Sequence, residues 1–334
     1  MKNTKSKKNK IIGIIKKILP IIGILIFIYI INLIGPNKIF STLFNFSPII
    51  LLLVITLIFL TLLLKNYIWQ IILDKQKVSI SFFKSLKLIL IGRFYGIITP
   101  GNLGTYAKVI YLKEETDEPT GKLFVNIIIF QVIDCVAFYI IVLISAILFA
   151  SENFEIFILV FVYISIMSII YLIFINKERG EKIINFFIKI FIPKKLKTYF
   201  TNFSYTFYKD FPKIKELLYP FGISFIVQIS EYTYLYILAI FLGIDISFPL
   251  FIVLFTIAAI LATMPISIGG LGTREAALIL LFTPFGIAAH KLVAFSLMIF
   301  IISLFFAFIG FILAIIESKN KKKTFKLKEI SFKS

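Results

Sequence analysis

Apolar residues in this chain fall in long runs separated by short polar punctuation. The clear runs are Ile18–Gly35, Pro48–Leu64, Leu123–Ala150, Phe154–Ile175, Phe221–Gly243, Leu250–Met264 and Leu292–Ile316. Several reach the roughly 18 residues that let a helix cross a bilayer. None shows the roughly 10-residue alternation of an outer-membrane barrel strand. The pattern predicts an all-α, polytopic helical membrane bundle, because only helices and closed barrels satisfy every backbone group in lipid.

Two pieces interrupt the pattern. Leu86–Tyr106 contains Arg93, Pro100, Gly101 and Gly104, and Ala276–Ala289 is short and broken by Pro284. Loop charges decide how they are threaded, since lysine and arginine mark the cytoplasmic side. The lysine-rich N-terminus, the segment from Lys65 to Arg93, the stretch Lys108–Lys122 and the stretch Lys177–Lys215 are placed inside. The loop holding only Lys38, and the lysine-free turn Ser151-Glu152-Asn153, are placed outside. Leu86–Gly104 then crosses an even number of times, yet at about 1.5 Å per residue it is too short to cross twice. It either lies on the surface or dips in and returns, with Pro100–Gly104 as the turn. By the same parity Leu250–Ala289 starts and finishes outside, as two full helices or as two half-length ones meeting at PISIGGLG. The expected total is about six full spans plus two broken or re-entrant helical hairpins.

The organisation read from this is a basic cytoplasmic N-terminus (1–17), one transmembrane domain (18–316) and a polybasic cytoplasmic tail (317–334). Both termini are expected in the cytoplasm and the chain in the plasma membrane. Glu181–Lys215 mixes lysines with Leu196, Phe200, Phe203 and Phe207 at helical spacing, which suggests interfacial helices, with a solvated loop as the alternative. The N-terminus looks like a signal peptide, but no small-residue cleavage site follows, so it reads as a retained first helix.

Composition agrees. Of 334 residues 60% are hydrophobic, and the mean hydropathy is +1.00. The net charge of +19 sits at the ends and in loops, a topology signal rather than a nucleic-acid footprint. The single cysteine, Cys135, rules out an internal disulfide. The single histidine, His290, has no ligand cluster beside it, so neither metal nor cofactor is expected.

The two interruptions echo each other. Ile98–Leu112 reads ITPGNLGTYAKVIYL and Met264–Leu280 reads MPISIGGLGTREAALIL. Each has a proline (Pro100, Pro265), a glycine-bearing turn, then Leu-Gly-Thr, then a helix former. With opposite openings this is the arrangement of a possible inverted repeat, and paired Gly/Pro-interrupted segments point to a transporter's central site; chance resemblance is the alternative. A helix beginning near Thr273 exposes backbone N–H groups and a partial positive charge. Gly269, Gly270 and Gly272 permit close approach to the backbone. Arg274 adds a planar fork suited to phosphate, with Glu275 beside it to hold it when no ligand is bound. Lys108 and Arg93 supply the same sign near the first interruption. Together these predict an anion site within the membrane; the other reading is a surface turn with both charges in water.

Asp134 and Glu231 fall near the centres of their apolar runs, where an ionisable group costs at least about 2–3 kcal/mol. Gln131 shares a helix face with Asp134, and Ser224 and Gln228 share one with Glu231. They serve either ion or proton coupling or a structural bond to a neighbouring helix.

The run P-x-S-x-G-G-L-G-x-R-E-A-A, Pro265 to Ala277, resembles the signature of the lysylphosphatidylglycerol synthase transmembrane-region family of flippase-like membrane proteins. RFYGIITPGNLGTYAK, Arg93–Lys108, and the aspartate closing FQVID, Asp134, extend the likeness over nearly the whole chain. Thr105 stands where that family suggests an acid, Lys108 where it suggests arginine, and Gln131 where it suggests arginine. The resemblance implies about eight helical segments with re-entrant elements. It also implies movement between leaflets of an anionic lipid, such as an aminoacylated or polyprenyl-linked one, with a separate lipid-modifying enzyme as a possible partner. Two-part members add a soluble aminoacyl-transfer domain; about eighteen residues follow the last run here, so enzyme activity is not expected of this chain. A transporter of a soluble anion, a membrane lipid or glycosyl transferase, and an accessory subunit are the competing readings.

Overall fold

Long apolar runs become long helices. The computed structural model describes residues 23–331 apart from 45–46, 117, 152, 176, 192–211, 213, 265–266 and 268. Helix α1 (Gly23–Ile34) turns through 87° into α2 (Pro36–Phe44) at Gly35, whose φ is +94°. Then follow α3 (Pro48–Lys75), α4 (Phe82–Ile97), a 3-10 turn (Pro100–Ala107), α5 (Lys108–Glu115), α6 (Thr120–Leu148), α7 (Phe154–Ile175) and α8 (Lys177–Phe191). The last elements are α9 (Ile214–Phe241), α10 (Phe248–Ala262), α11 (Thr273–Phe282), a 3-10 turn (Thr283–Phe285) and α12 (Ala289–Ser331). Proline opens α3 and α10 in the first turn, where its missing N–H has no helical partner to lose.

Among the described residues four helices are long and apolar enough to cross a membrane: α3, α6, Lys215–Phe241 of α9 and Ala289–Ser318 of α12. Counting the bent pair α1–α2 as one span makes five, and Phe154–Ile169 of α7 is a shorter apolar helix. Leu52, Phe59, Ile226 and Phe308 stand exposed on their outer faces. Large apolar side chains in such number suit hydrocarbon, not water. The expected multi-pass helical membrane protein is what the chain forms.

The two interruptions form hairpins of short helices. In the first, α4 has 16 residues and α5 has 8; in the second, α10 has 15 and α11 has 10. At about 1.5 Å per residue none of these spans a core of about 30 Å. The half-length option is therefore the one realised.

Packing places these hairpins inside the bundle. Helix α3 runs along α9, α9 along α6, α10 against α6 and α11, and α4 along α12. The α4–α12 contact is close: a methyl group at Gly310 would strike the Leu90 carbonyl. Lys87 joins Glu317 at 2.5 Å and Lys84 joins Glu115 at 2.5 Å, so ion pairs tie α4 to both α12 and α5. Asn66 of α3 donates to the Phe82 carbonyl at 2.9 Å and fixes the start of α4.

One expectation is corrected. Lys65 is not in a loop: α3 continues past Leu64 to Lys75, because the apolar pattern resumes with Ile68, Trp69, Ile72 and Leu73, all buried. The polybasic tail continues α12, which extends to Ser331. Of the expected interfacial segment, α8 is described as a helix to Phe191, while Leu196, Phe200, Phe203 and Phe207 lie outside the described residues.

Candidate functional site

Each hairpin reverses direction through a consecutive left-handed pair. In the first these are Gly101 (φ 64°) and Asn102 (φ 58°); in the second, Gly269 (φ 61°) and Gly270 (φ 78°). Both pairs immediately precede Leu-Gly-Thr, so the echo in sequence is an echo in backbone. Asparagine tolerates this region better than most residues with a Cβ.

Around that shared turn the two are built differently. Pro100 opens the first as a 3-10 turn. Thr99 Oγ1 donates to the Tyr95 carbonyl at 2.8 Å and accepts the Gly104 amide at 2.7 Å. The second starts a helix, α11, directly at Thr273. Glu275 Oε2 accepts the Gly272 amide at 2.5 Å, which is half of a capping box, since glycine has no side chain to return the bond. Glu275 Oε1 accepts the Ser296 hydroxyl at 2.5 Å. Arg274 donates from Nε to Ser296 Oγ at 2.5 Å and from a terminal nitrogen to the Ser296 carbonyl at 2.9 Å. Its distance to Glu275 is 3.8 Å. Both side chains are buried, Arg274 at 9% exposure and Glu275 at 0%, which removes the reading of two charges in surface water.

The two turns face one cavity of about 420 Å³. Gly101, Asn102 and Thr105 reach it from the first, and Ser267, Gly269, Gly270 and Arg274 from the second. Lys65, Arg93, Lys108, Gln131 and Asp134 add to its polar lining; Phe130, Phe255 and Phe300 are among its apolar walls. Thus four basic side chains and one carboxylate line it. Asp134 lies near the middle of α6, about 21 Å along it at 1.5 Å per residue. The turns therefore meet at the depth of mid-helix, where irregular backbone is tolerated only beside protein or a water-filled space.

Behind Asp134 stands an ion-pair cluster joining three helices. Lys65 Nζ is 3.3 Å from Asp134 and 3.0 Å from Glu231. Asp134 also accepts from Gln228 at 2.8 Å and from Ser224 at 3.3 Å. So α3, α6 and α9 are cross-linked where the bilayer offers charges no other partner.

The two cations of the first hairpin have no such bonds. Lys108 is 3% exposed, with its ammonium 4.9 Å from the Trp69 ring centre and 5.1 Å from that of Phe130. Arg93 lies over the Phe306 ring at 5.9 Å. Among the described residues neither makes a hydrogen bond or ion pair.

Of the residues singled out from sequence, Arg274, Gly269, Gly270, Gly101, Arg93, Lys108, Asp134 and Gln131 meet at the cavity. Glu231, Gln228 and Glu275 stand behind it as partners of lining residues or their neighbours. Gly272 and Gly104 have another role than ligand approach. A methyl group at Gly272 would strike the Gly23 carbonyl, and one at Gly104 the Tyr95 carbonyl, so each lets two backbone segments touch. Glu275 caps α11 and anchors Ser296, and it also pairs with Arg274 at 3.8 Å. Pro265 lies outside the described residues. Lys65 and Ser296 were missed. Lys65 reads as a topology lysine until the resumed apolar pattern after it is noticed, and Ser296 gives no signal in an apolar run.

A search of curated proteins finds no match to the chain. A family model described as "Lysylphosphatidylglycerol synthase TM region" matches residues 20–310, which takes in both hairpins, the cavity and the ion-pair cluster. The chain belongs to that family.

Proposed function

We propose that this protein moves an anionic lipid between leaflets, by lodging the headgroup in the cavity between the two hairpins while the acyl chains stay in the bilayer. The observation that carries this reading is the meeting of both broken hairpins at one mid-depth cavity lined by four basic side chains. Its volume suits a headgroup: small-ligand sites run from about 300 to 1,000 Å³, and two acyl chains need more. The family's link to lipid chemistry and the apolar outer faces support the same reading. The lysine-rich loops support a plasma-membrane placement with both termini in the cytoplasm. Lipid is the partner this reading requires, and it gives the chain no catalytic step of its own.

The test is leaflet exchange of a fluorescent anionic lipid in proteoliposomes. Wild type is expected to exceed protein-free vesicles. Ala259→Phe, which fills part of the cavity from the α10 wall, is expected to return exchange to the protein-free level. Wild type no faster than bare vesicles for any anionic lipid would remove the proposal, as would an Ala259→Phe protein that works normally.

A further inference from the structure

The four basic residues of the cavity are not equivalent. Arg274 spends Nε and a terminal nitrogen on Ser296 and lies beside Glu275. Lys65 is shared by Asp134 and Glu231. The charged groups of Lys108 and Arg93 lie over aromatic faces and, among the described residues, make no hydrogen bond or ion pair. An aromatic face holds an ammonium less tightly than a phosphate oxygen does when both are desolvated. The resting contacts of Lys108 and Arg93 are therefore ones an anion can displace, and those of Arg274 and Lys65 are not.

The charges then balance in a specific way. Lys65 with Asp134 and Glu231 carries one net negative charge, and Arg274 and Glu275 cancel. Lys108 and Arg93 bring the group to one net positive charge. In a site walled by aromatic rings an uncompensated charge is costly. One monoanion makes it neutral; a headgroup with an added ammonium does not.

We propose that Lys108 and Arg93 are the phosphate ligands of this cavity, and that it selects a headgroup with a single net negative charge, a phosphodiester without an ammonium group. Arg274 is a positioning residue that holds the second turn. The proposal rests on the headgroup reading above for the site, but not on transport taking place.

The structure supplies a reporter. Trp69 is the only tryptophan in the chain, and Lys108 sits over its ring. Withdrawal of the ammonium toward a phosphate changes the indole's surroundings. The experiment titrates purified full-length protein in detergent with dihexanoyl phosphatidylglycerol, its lysylated form, dihexanoyl phosphatidylethanolamine and inorganic phosphate. Trp69 emission and calorimetric heat are read together. Phosphatidylglycerol is expected to bind saturably with a change in emission, and the two ammonium-bearing lipids roughly tenfold or more weakly. Lys108→Gln and Arg93→Gln are each expected to weaken calorimetric binding roughly ten- to hundredfold, the size of one lost charge-assisted hydrogen bond. Lys108→Arg restores it, which separates loss of a ligand from loss of fold. Undiminished binding by Lys108→Gln overturns the assignment. Tighter binding of the lysylated lipid overturns the selectivity, and inorganic phosphate binding as well as the lipid overturns the lipid as ligand. Normal selective binding without leaflet exchange leaves this inference standing and removes the transport reading alone.

Discussion

The two hairpins use one turn and opposite electrostatics. Each makes its reversal with a left-handed pair before Leu-Gly-Thr. In the second hairpin every charge has a partner within its own neighbourhood: Glu275 caps α11, and Ser296 ties Glu275 to Arg274. In the first, Ala107 stands two residues after Leu-Gly-Thr where the second has that acid, and Lys108 and Arg93 rest on aromatic rings. The sequence nearest a known signature is thus the self-satisfied half, and the looser half holds the cations available to a ligand. A strongly marked motif shows where a fold is demanding, which need not be where a ligand is gripped.

That contrast can be broken most directly at the second hairpin. Arg274→Ala leaves the buried Glu275 without its cation and is expected to cost about 3–5 kcal/mol, read by denaturant or thermal unfolding in detergent. A loss of under about 1 kcal/mol would mean that the network does not hold the turn, since cutting one partner from a buried pair is a large effect. Next in size is Lys65→Met, which strands Asp134 and Glu231 and should cost about 2–3 kcal/mol. Adding Asp134→Asn should recover part of that loss, and strict additivity in the double-mutant cycle would mean the two do not interact.

Gly272→Ala tests the backbone rather than the charges. A methyl group there meets both a φ of +82° and the Gly23 carbonyl, and a destabilisation of about 1–3 kcal/mol is expected from the strained conformation. Lys108→Gln should be the gentlest of the changes at the cavity. Losing its aromatic contacts costs about 0.5–2 kcal/mol, so an unfolding midpoint near wild type should accompany the weakened anion binding. A Lys108→Gln protein as unstable as Arg274→Ala would erase the difference between the hairpins. Lys84→Ala, at the more exposed end of an ion pair with Glu115, should change stability by no more than about 0.5 kcal/mol and serves as a control.

Much of this is legible in the sequence alone. Apolar run length gave the long helices, and the parity of loop charges required each interruption to begin and end on one side, leaving a surface segment or a dip at the first and two full or two half-length helices at the second. Leu-Gly-Thr, with glycines ahead of it, marked both reversals. What could not be read was pairing across the bundle. Asp134 and Glu231 stood out as buried acids, but their shared cation lies 69 and 166 residues away along the chain. Nothing local to Lys65 distinguishes it from the lysines that mark the inner face, except the apolar residues that follow. Arg274 looked like the phosphate fork because arginine is suited to that task. Only the placement of Ser296 on α12 shows Nε and one terminal nitrogen already engaged. The glycines had the same ambiguity: a missing Cβ suits an approaching ligand or an approaching backbone equally well.

The Lys65 cluster also sets an order for making the protein. Helix α3 leaves the ribosome with a charge in its apolar body and no acid in reach. Asp134 follows 69 residues later and Glu231 166 residues later. At about 5–20 residues per second, the second partner arrives roughly 8–33 s after Lys65. Until Asp134 arrives the ammonium has only water or lipid headgroups to hold it, with α3 shifted or tilted to bring it to the interface, and until Glu231 arrives it lacks its second acid. The cluster that ties α3 to both α6 and α9 is therefore complete only once α9 has been synthesised, and the wall of the cavity that Lys65 and Asp134 supply is secured late.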